Sequence, residues 1–357
     1  MKTEILDLIR NIKPADKEAA CAASRHWDSL AKPLGSLGVL EDDIIRIAAL
    51  TGREDVRLAK RTLLVFCADN GVVEQGVSQS GHEVTAAVAA ALGRHESTTN
   101  YMASETTCEV VPVDIGMRDD TPYGVICAKI RRGTQDISSG PAMNEEECVR
   151  AIITGADMVR RYACTDDEKR SDIILLGEMG IGNTTTSAAV ASVMLGLDPG
   201  ETAGRGAGLS DAGLVRKADV IRRAIEVNRP VTDDPVDVLA KVGGFDIAAM
   251  CGACIGGAMY RVPVLLDGFI SNAAALAAVK LCPHVRDALI ASHVSAEPAA
   301  AMLLKEMKLE PCISAGLRLG EGSGAVLALA LLDRALAVYH SGNTFGALGI
   351  EAYTRKS

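Results

Sequence analysis

The stretch Asp172-Ile-Ile-Leu-Leu-Gly-Glu-Met-Gly-Ile-Gly-Asn-Thr-Thr-Thr186 sets a short apolar run before a glycine-rich polar loop and a string of threonines. Residues 172–176 are too few for a helix and show no polar alternation, the pattern of a strand buried on both faces. The loop then enters a Thr-, Ser- and Ala-rich segment, so the unit reads strand, loop, helix. The same order recurs elsewhere. Thr62-Leu-Leu-Val-Phe-Cys-Ala68, Glu109-Val-Val-Pro-Val-Asp-Ile115, Val262-Pro-Val-Leu-Leu266 and Ala288-Leu-Ile-Ala-Ser292 are the other expected strands. This alternation predicts an α/β fold, a three-layer parallel sheet with helices on both faces.

Polar motifs follow four of these runs: Asp69-Asn-Gly-Val72, Gly177-Glu-Met-Gly180, Asp267-Gly-Phe269 and His293-Val-Ser-Ala-Glu297. In open α/β sheets, ligands bind beyond the carboxyl ends of the strands. Four polar loops on that edge predict a site there.

The whole chain fits this reading. Of its 357 residues 48% are hydrophobic but only 3% aromatic, so Ala, Val, Leu and Ile must build the core. The length suits two domains, or one large domain with additions. The net charge of −9, without a basic block, argues against a nucleic-acid partner and for a small substrate. No membrane insertion is expected, because residues 247–260 are apolar but too short to span. The N-terminus reads as an amphipathic helix start, not a signal peptide. The ten cysteines are scattered, mostly in apolar runs, as reduced thiols of a cytoplasmic protein would be. The charged residues 165–171 read as a surface loop.

Several stretches could carry chemistry. Residues 177–186 bring glycines to a helix start, where the backbone can approach an anion and free amides favour it. The Walker pattern is absent, and the glycines at 177, 180 and 182 have the wrong spacing for a dinucleotide fingerprint. An ordinary strand-to-helix turn would look similar. A second cluster, Gly204-Arg-Gly-Ala-Gly-Leu-Ser-Asp-Ala-Gly213, precedes Arg216 and Lys217, which suit a phosphate or simply a solvated helix face. Glu321 lies among Gly320, Gly322, Ser323 and Gly324 between apolar flanks. A carboxylate so placed is either a desolvated general base or a charge at a helix start. Glu178 carries the same two readings. Cys251 and Cys254 read as buried helix thiols, and His293 as a catalytic or a loop-bonding imidazole. The six histidines are not spaced as a metal site.

These residues resemble the nicotinate-nucleotide:dimethylbenzimidazole phosphoribosyltransferases of cobalamin lower-loop assembly. The matching segments run in order over nearly the whole chain. They begin with Lys32-Pro-Leu-Gly-Ser-Leu-Gly38, Ala68-Asp-Asn-Gly-Val72, Gly76-Val-Ser78, Glu83-Val-Thr85 and Val113-Asp-Ile-Gly-Met117. They continue through Arg132-Gly-Thr134, Gly140-Pro-Ala-Met143 and Leu176-Gly-Glu-Met-Gly-Ile-Gly-Asn-Thr-Thr185. The last are Gly243-Gly-Phe245, Ser292-His293, Ser295-Ala-Glu-Pro298 and Leu319-Gly-Glu-Gly-Ser-Gly324.

The resemblance implies transfer of a 5-phosphoribosyl group from nicotinate mononucleotide to a benzimidazole-type base, giving nicotinate and an α-linked riboside 5′-phosphate. It implies Glu321 as general base and Glu178 near the ribose. Phosphate contacts would come from Gly180, Gly182, Asn183, Thr184 and Thr185, from Gly204 and Gly206, and from Lys217. Ser295 would lie close to the nucleotide, and Ser78, Ser80, His82 and Leu319 would line the base pocket. The pyridinium leaving group carries its own positive charge, so no metal or cofactor is expected. The implied fold adds a small helical domain built from residues 1–30 and 329–357 to a catalytic domain over 31–328, in a homodimer. Gln79-Ser-Gly-His82 stands where many members have a Tyr-Pro pair, Ala299-Ala300 replaces a Gly-His, and Ala207 a Thr. The first change touches the base pocket and leaves the accepted base open. Hydrolysis or another acceptor, and a non-catalytic nucleotide sensor, are the competing readings.

Overall fold

The computed structural model describes residues 2–165, 170–206 and 208–354. Most of the charged stretch 165–171, and Ala207, lie outside the described residues. Six parallel strands form one sheet: β1 (Arg61–Ala68), β2 (Cys108–Gly116), β3 (Ile126–Cys127), β4 (Ile173–Met179), β5 (Val264–Leu266) and β6 (Leu289–Ala291). The helices of the first half are α1 (Lys2–Arg10), α2 (Lys17–Ser29), α3 (Val39–Thr51), α4 (Glu83–Gly93), α5 (Thr98–Ser104), α6 (Glu145–Ala163) and α7 (Asn183–Leu195). Then come α8 (Pro199–Thr202), α9 (Asp211–Asn228), α10 (Pro235–Val242), α11 (Phe245–Tyr260) and α12 (Phe269–Leu281). The last three are α13 (Ala300–Met307), α14 (Ser323–Tyr339) and α15 (Phe345–Leu348).

Strand alternation divides the interior in two. Leu64, Phe66, Ile174 and Leu176 face the core made with α6, α7, α11 and α12. Leu63, Val65, Cys67, Ile173 and Leu175 face the other way, against residues of α2, α3 and α14. The side chains named here are fully buried, which explains why the strands read as continuous apolar runs. The three-layer α/β fold is the one the sequence predicts. The two-residue β3 is too short to read from sequence.

The terminal helices take part in both layers. Ile5 of α1 belongs to the first core, and α1 packs on α6 and α11. Trp27 of α2 belongs to the second, its ring 5.0 Å from that of Tyr339 at the end of α14. The two ends of the chain also meet through the backbone, where the Ala31 amide donates to the Asn343 carbonyl at 2.8 Å. Cys251 and Cys254 are buried in α11, and every cysteine is free. No helix among the described residues is long and apolar enough to cross a membrane.

The strand order β3-β2-β1-β4-β5-β6 reverses direction between β1 and β4. Loops leaving those two strands diverge to opposite sides and open a crevice at their carboxyl ends. The expected polar loops converge on that edge.

Candidate active site

A cavity of about 280 Å³ opens at the carboxyl ends of β1, β4, β5 and β6. One end could receive an anion. Gly180, Gly182, Asn183 and Thr184 line it where the chain enters α7, and the Gly182 N-cap brings no side chain to the head of that helix. Lys217 of α9 is wholly buried behind them and donates from Nζ to Thr184 Oγ1 at 2.8 Å. Burial pushes its ammonium down to about 8, against the pull of the Glu297 carboxylate. Among the described residues no carboxylate pairs with Lys217 at contact distance, a partner charge that a bound phosphate would supply. Glu297 Oε1 accepts from the Gly206 amide at 2.9 Å and so fixes the second glycine loop beside the first.

Carboxylates fill the centre. Glu178, on β4, and Asp246, at the start of α11, share the amide group of Asn183, which donates to both. Both of its protons are then committed, so the amide orientation follows from its partners. Burial raises Glu178 to about 8 and Asp246 to about 6, with the Asn183 bond opposing each rise. Burial thus favours the neutral acid form of Glu178, which can donate into the cavity. Asp267, at the end of β5, is fully buried and also raised by burial. His293 at the end of β6 is lowered by burial, with Asp267 pulling the other way. Ser292 Oγ donates to the Asp267 carbonyl at 2.7 Å, so the His293 Nδ1, 3.0 Å away, must donate to Ser292. That leaves His293 Nε2 as an acceptor.

At the other end Glu321 enters between apolar walls from Val77, Val84, Val88 and Leu319. It occupies the left-handed region at φ 59° between Gly320 and Gly322, both at φ 85°. A non-glycine residue held there stores strain of about 1–2 kcal/mol, a cost that clusters at functional sites. The turn lies so close to β4 that a Cβ on Gly177 would stand 2.7 Å from the Glu321 carbonyl carbon and oxygen. This contact explains the glycine preceding Glu178. Burial raises the Glu321 carboxyl, Thr99 and Ser97 at the head of α5 hold it back, and the Asp267 charge adds to the rise.

Of the residues singled out from sequence, Glu321, Glu178, Gly180, Gly182, Asn183, Thr184, Gly206, Ser295, Leu319 and Ser78 line this cavity. Lys217 reaches it through Thr184, and Gly204 lines an adjoining cavity with Gly206 and Glu297. Thr185 is buried within α7. Ser80 and His82 do not line the cavity: His82 Nδ1 sits 3.2 Å from Asp69 Oδ1, tying the head of α4 to the end of β1. Sequence reasoning missed Asp246, Arg205, Arg318 and the pair Ser97 and Thr99. Only the Asn183 amide joining Glu178 to Asp246 reveals the first of these, and no local motif announces it.

The phosphoribosyltransferase family model DBI_PRT matches residues 12–350. The nicotinate-nucleotide–dimethylbenzimidazole phosphoribosyltransferase of Ruminiclostridium cellulolyticum is 44% identical, over 97% of this chain and 98% of that protein. The enzyme of the same name from Acetivibrio thermocellus is 42% identical, over 98% and 99%. Among solved structures, CobT from Thermus thermophilus superposes with a TM-score of 0.87 at 37% identity, over 94% of this chain and 99% of that one. The chain therefore belongs to the nicotinate-nucleotide–dimethylbenzimidazole phosphoribosyltransferase family.

Proposed function

We propose that the protein transfers the 5-phosphoribosyl group of nicotinate mononucleotide to 5,6-dimethylbenzimidazole or a related base, in cobalamin nucleotide-loop assembly. The observation that carries this reading is the strained, half-buried Glu321 in the cavity that Val77, Val84, Val88 and Leu319 line together with the head of α7. The 5′-phosphate rests on the head of α7 and the Gly206 loop, with Lys217 supplying charge. The flat base lies between Val77, Val84, Val88 and Leu319. Glu321 takes the proton from one ring nitrogen while the other attacks C1′, and nicotinate leaves from the opposite face with inversion. A positioned base of this kind contributes roughly 10²–10⁴-fold in rate. Its raised pKa brings its proton affinity closer to that of the group it deprotonates. Neutral Glu178 donates a hydrogen bond to the ribose. We further propose a homodimer, because Leu348, Ile350 and Tyr353 near the C-terminus expose apolar side chains. A cytoplasmic location would keep the ten free cysteines reduced.

Glu321→Gln tests the assignment of the base, with product formation measured with and without dimethylbenzimidazole. A loss of roughly 10² or more in kcat at preserved nucleotide binding is expected. Undiminished turnover contradicts it. Nicotinate release by the wild type without any acceptor would instead identify a hydrolase, and binding without turnover a sensor.

A further inference from the structure

We infer that Asp267 is a positioning residue for the reaction: from the end of β5 its carboxylate holds the turn that aims Glu321 into the cavity. The inference rests on Glu321 being the general base. The head of α14 needs an outside partner, since its N-cap is Gly322, with no side chain to satisfy the first amides. Asp267 supplies it from a different part of the chain. Its Oδ2 accepts from the Gly322 amide at 3.2 Å, and its Oδ1 from the Gly324 and Ala325 amides at 2.7 and 3.3 Å. Acceptance at both oxygens, at a helix N-terminus, favours the ionised carboxylate and opposes the rise that burial causes.

These bonds grip the backbone immediately after Glu321, while Gly177 of β4 packs against the Glu321 backbone itself. A left-handed glutamate persists only where its surroundings fix it, and Asp267 and β4 provide the two sides of that grip. The Ser292 hydroxyl ties down the Asp267 carbonyl, and the His293 imidazole stands beside the same helix head. The fit is tight, because a Cβ on Gly324 would stand 2.0 Å from His293 Nδ1 and 2.9 Å from Asp267 Oδ1.

The same carboxylate acts on the base through its charge. The groups that interact with Glu321 are Cys67 on β1, Glu178 on β4, Asp267 beyond β5, and Ser97 and Thr99 on the α5 side, while His293 beyond β6 lines the same cavity and interacts with Asp267. Asp267 is the anion among them that most raises the affinity of Glu321 for a proton.

The test compares Asp267→Asn with the wild type in kcat, in KM for nicotinate mononucleotide, and in the acidic limb of the pH–rate profile. We expect kcat to fall about 10–100-fold through misplacement of the base, with KM changed less than about threefold. The acidic limb should move about one pH unit lower, because removing a neighbouring negative charge makes Glu321 a weaker base. An unmoved limb, or parallel loss of kcat and KM with a lower melting temperature, overturns the inference. Asp267→Glu provides a second arm should the Asn variant not fold. It keeps the charge on a longer stem, so kcat should fall while the limb stays, and unchanged kcat overturns the inference as well. Full activity in Glu321→Gln would instead overturn the base assignment, which separates the two failures.

Discussion

Replacing Glu321 by glycine should make the protein more stable while abolishing its chemistry. The backbone there sits at φ 59°, which glycine adopts freely and glutamate only at a cost of about 1–2 kcal/mol. Glycine returns about 0.4–1 kcal/mol of that through the greater freedom of the unfolded chain. Removing a half-buried carboxyl that the Asp267 charge repels adds to the gain, and losing its interaction with Thr99 and Ser97 subtracts from it. The expected balance is a gain of about 0.5–1 kcal/mol, or roughly 1–2 °C in Tm for a chain of this size. Scanning calorimetry of wild type, Glu321→Gly and Glu321→Gln measures it, with product formation followed on the same samples. Glu321→Gln keeps a side chain in the left-handed conformation and should gain less than Glu321→Gly. If Glu321→Gly melts clearly below the wild type, the residue is part of the scaffold, and reading its strain as functional is mistaken.

Two other perturbations probe the remaining parts of the cavity. Lys217→Met keeps the buried stem but removes the ammonium behind Thr184. A charged hydrogen bond of about 1.5–3 kcal/mol predicts a rise of about 10–150-fold in KM for nicotinate mononucleotide, with little change in KM for the base, measured by initial rates. Glu178 is raised from 4.5 to about 8, so between those values the folded chain keeps a proton that the unfolded chain has released. Its contribution to stability is thus fully present below the unfolded value and is lost as pH rises toward 8. Glu178→Gln should flatten the decline of the urea midpoint between pH 5 and about 8, removing a dependence on the order of a few kcal/mol. Parallel midpoint curves for the two proteins would show that Glu178 ionises normally.

Much of the fold was legible because burial on both faces writes itself into β1 and β4 as unbroken apolar runs. The edges were less so. β3 is held by only two residues against β2, and β5 and β6 are three-residue strands whose ends a pattern of neighbours cannot fix. The loops after β1, β4, β5 and β6 could be placed on one edge from topology alone. Their grouping into a site depends on tertiary contacts. Asp246 joins it because Asn183 reaches across from α7, and Ser97 and Thr99 because α5 leans toward α14. His82 shows the opposite limit. The resemblance implied a place for it in the base pocket, but its Nδ1 lies 3.2 Å from Asp69 Oδ1 at the end of β1 and it does not line the cavity. The roles of Glu321 and Glu178 were ambiguous locally, since a glutamate among glycines at a helix start is also a common capping arrangement.

The most direct measurement is the identity of the products when the purified protein meets nicotinate mononucleotide and 5,6-dimethylbenzimidazole together. Proton NMR of the riboside resolves the configuration at C1′ while free nicotinate is counted in the same sample. One nicotinate for each α-linked riboside 5′-phosphate is the predicted result. A β-linked product, or ribose 5-phosphate with the base left unused, would contradict inverting transfer to a base at Glu321.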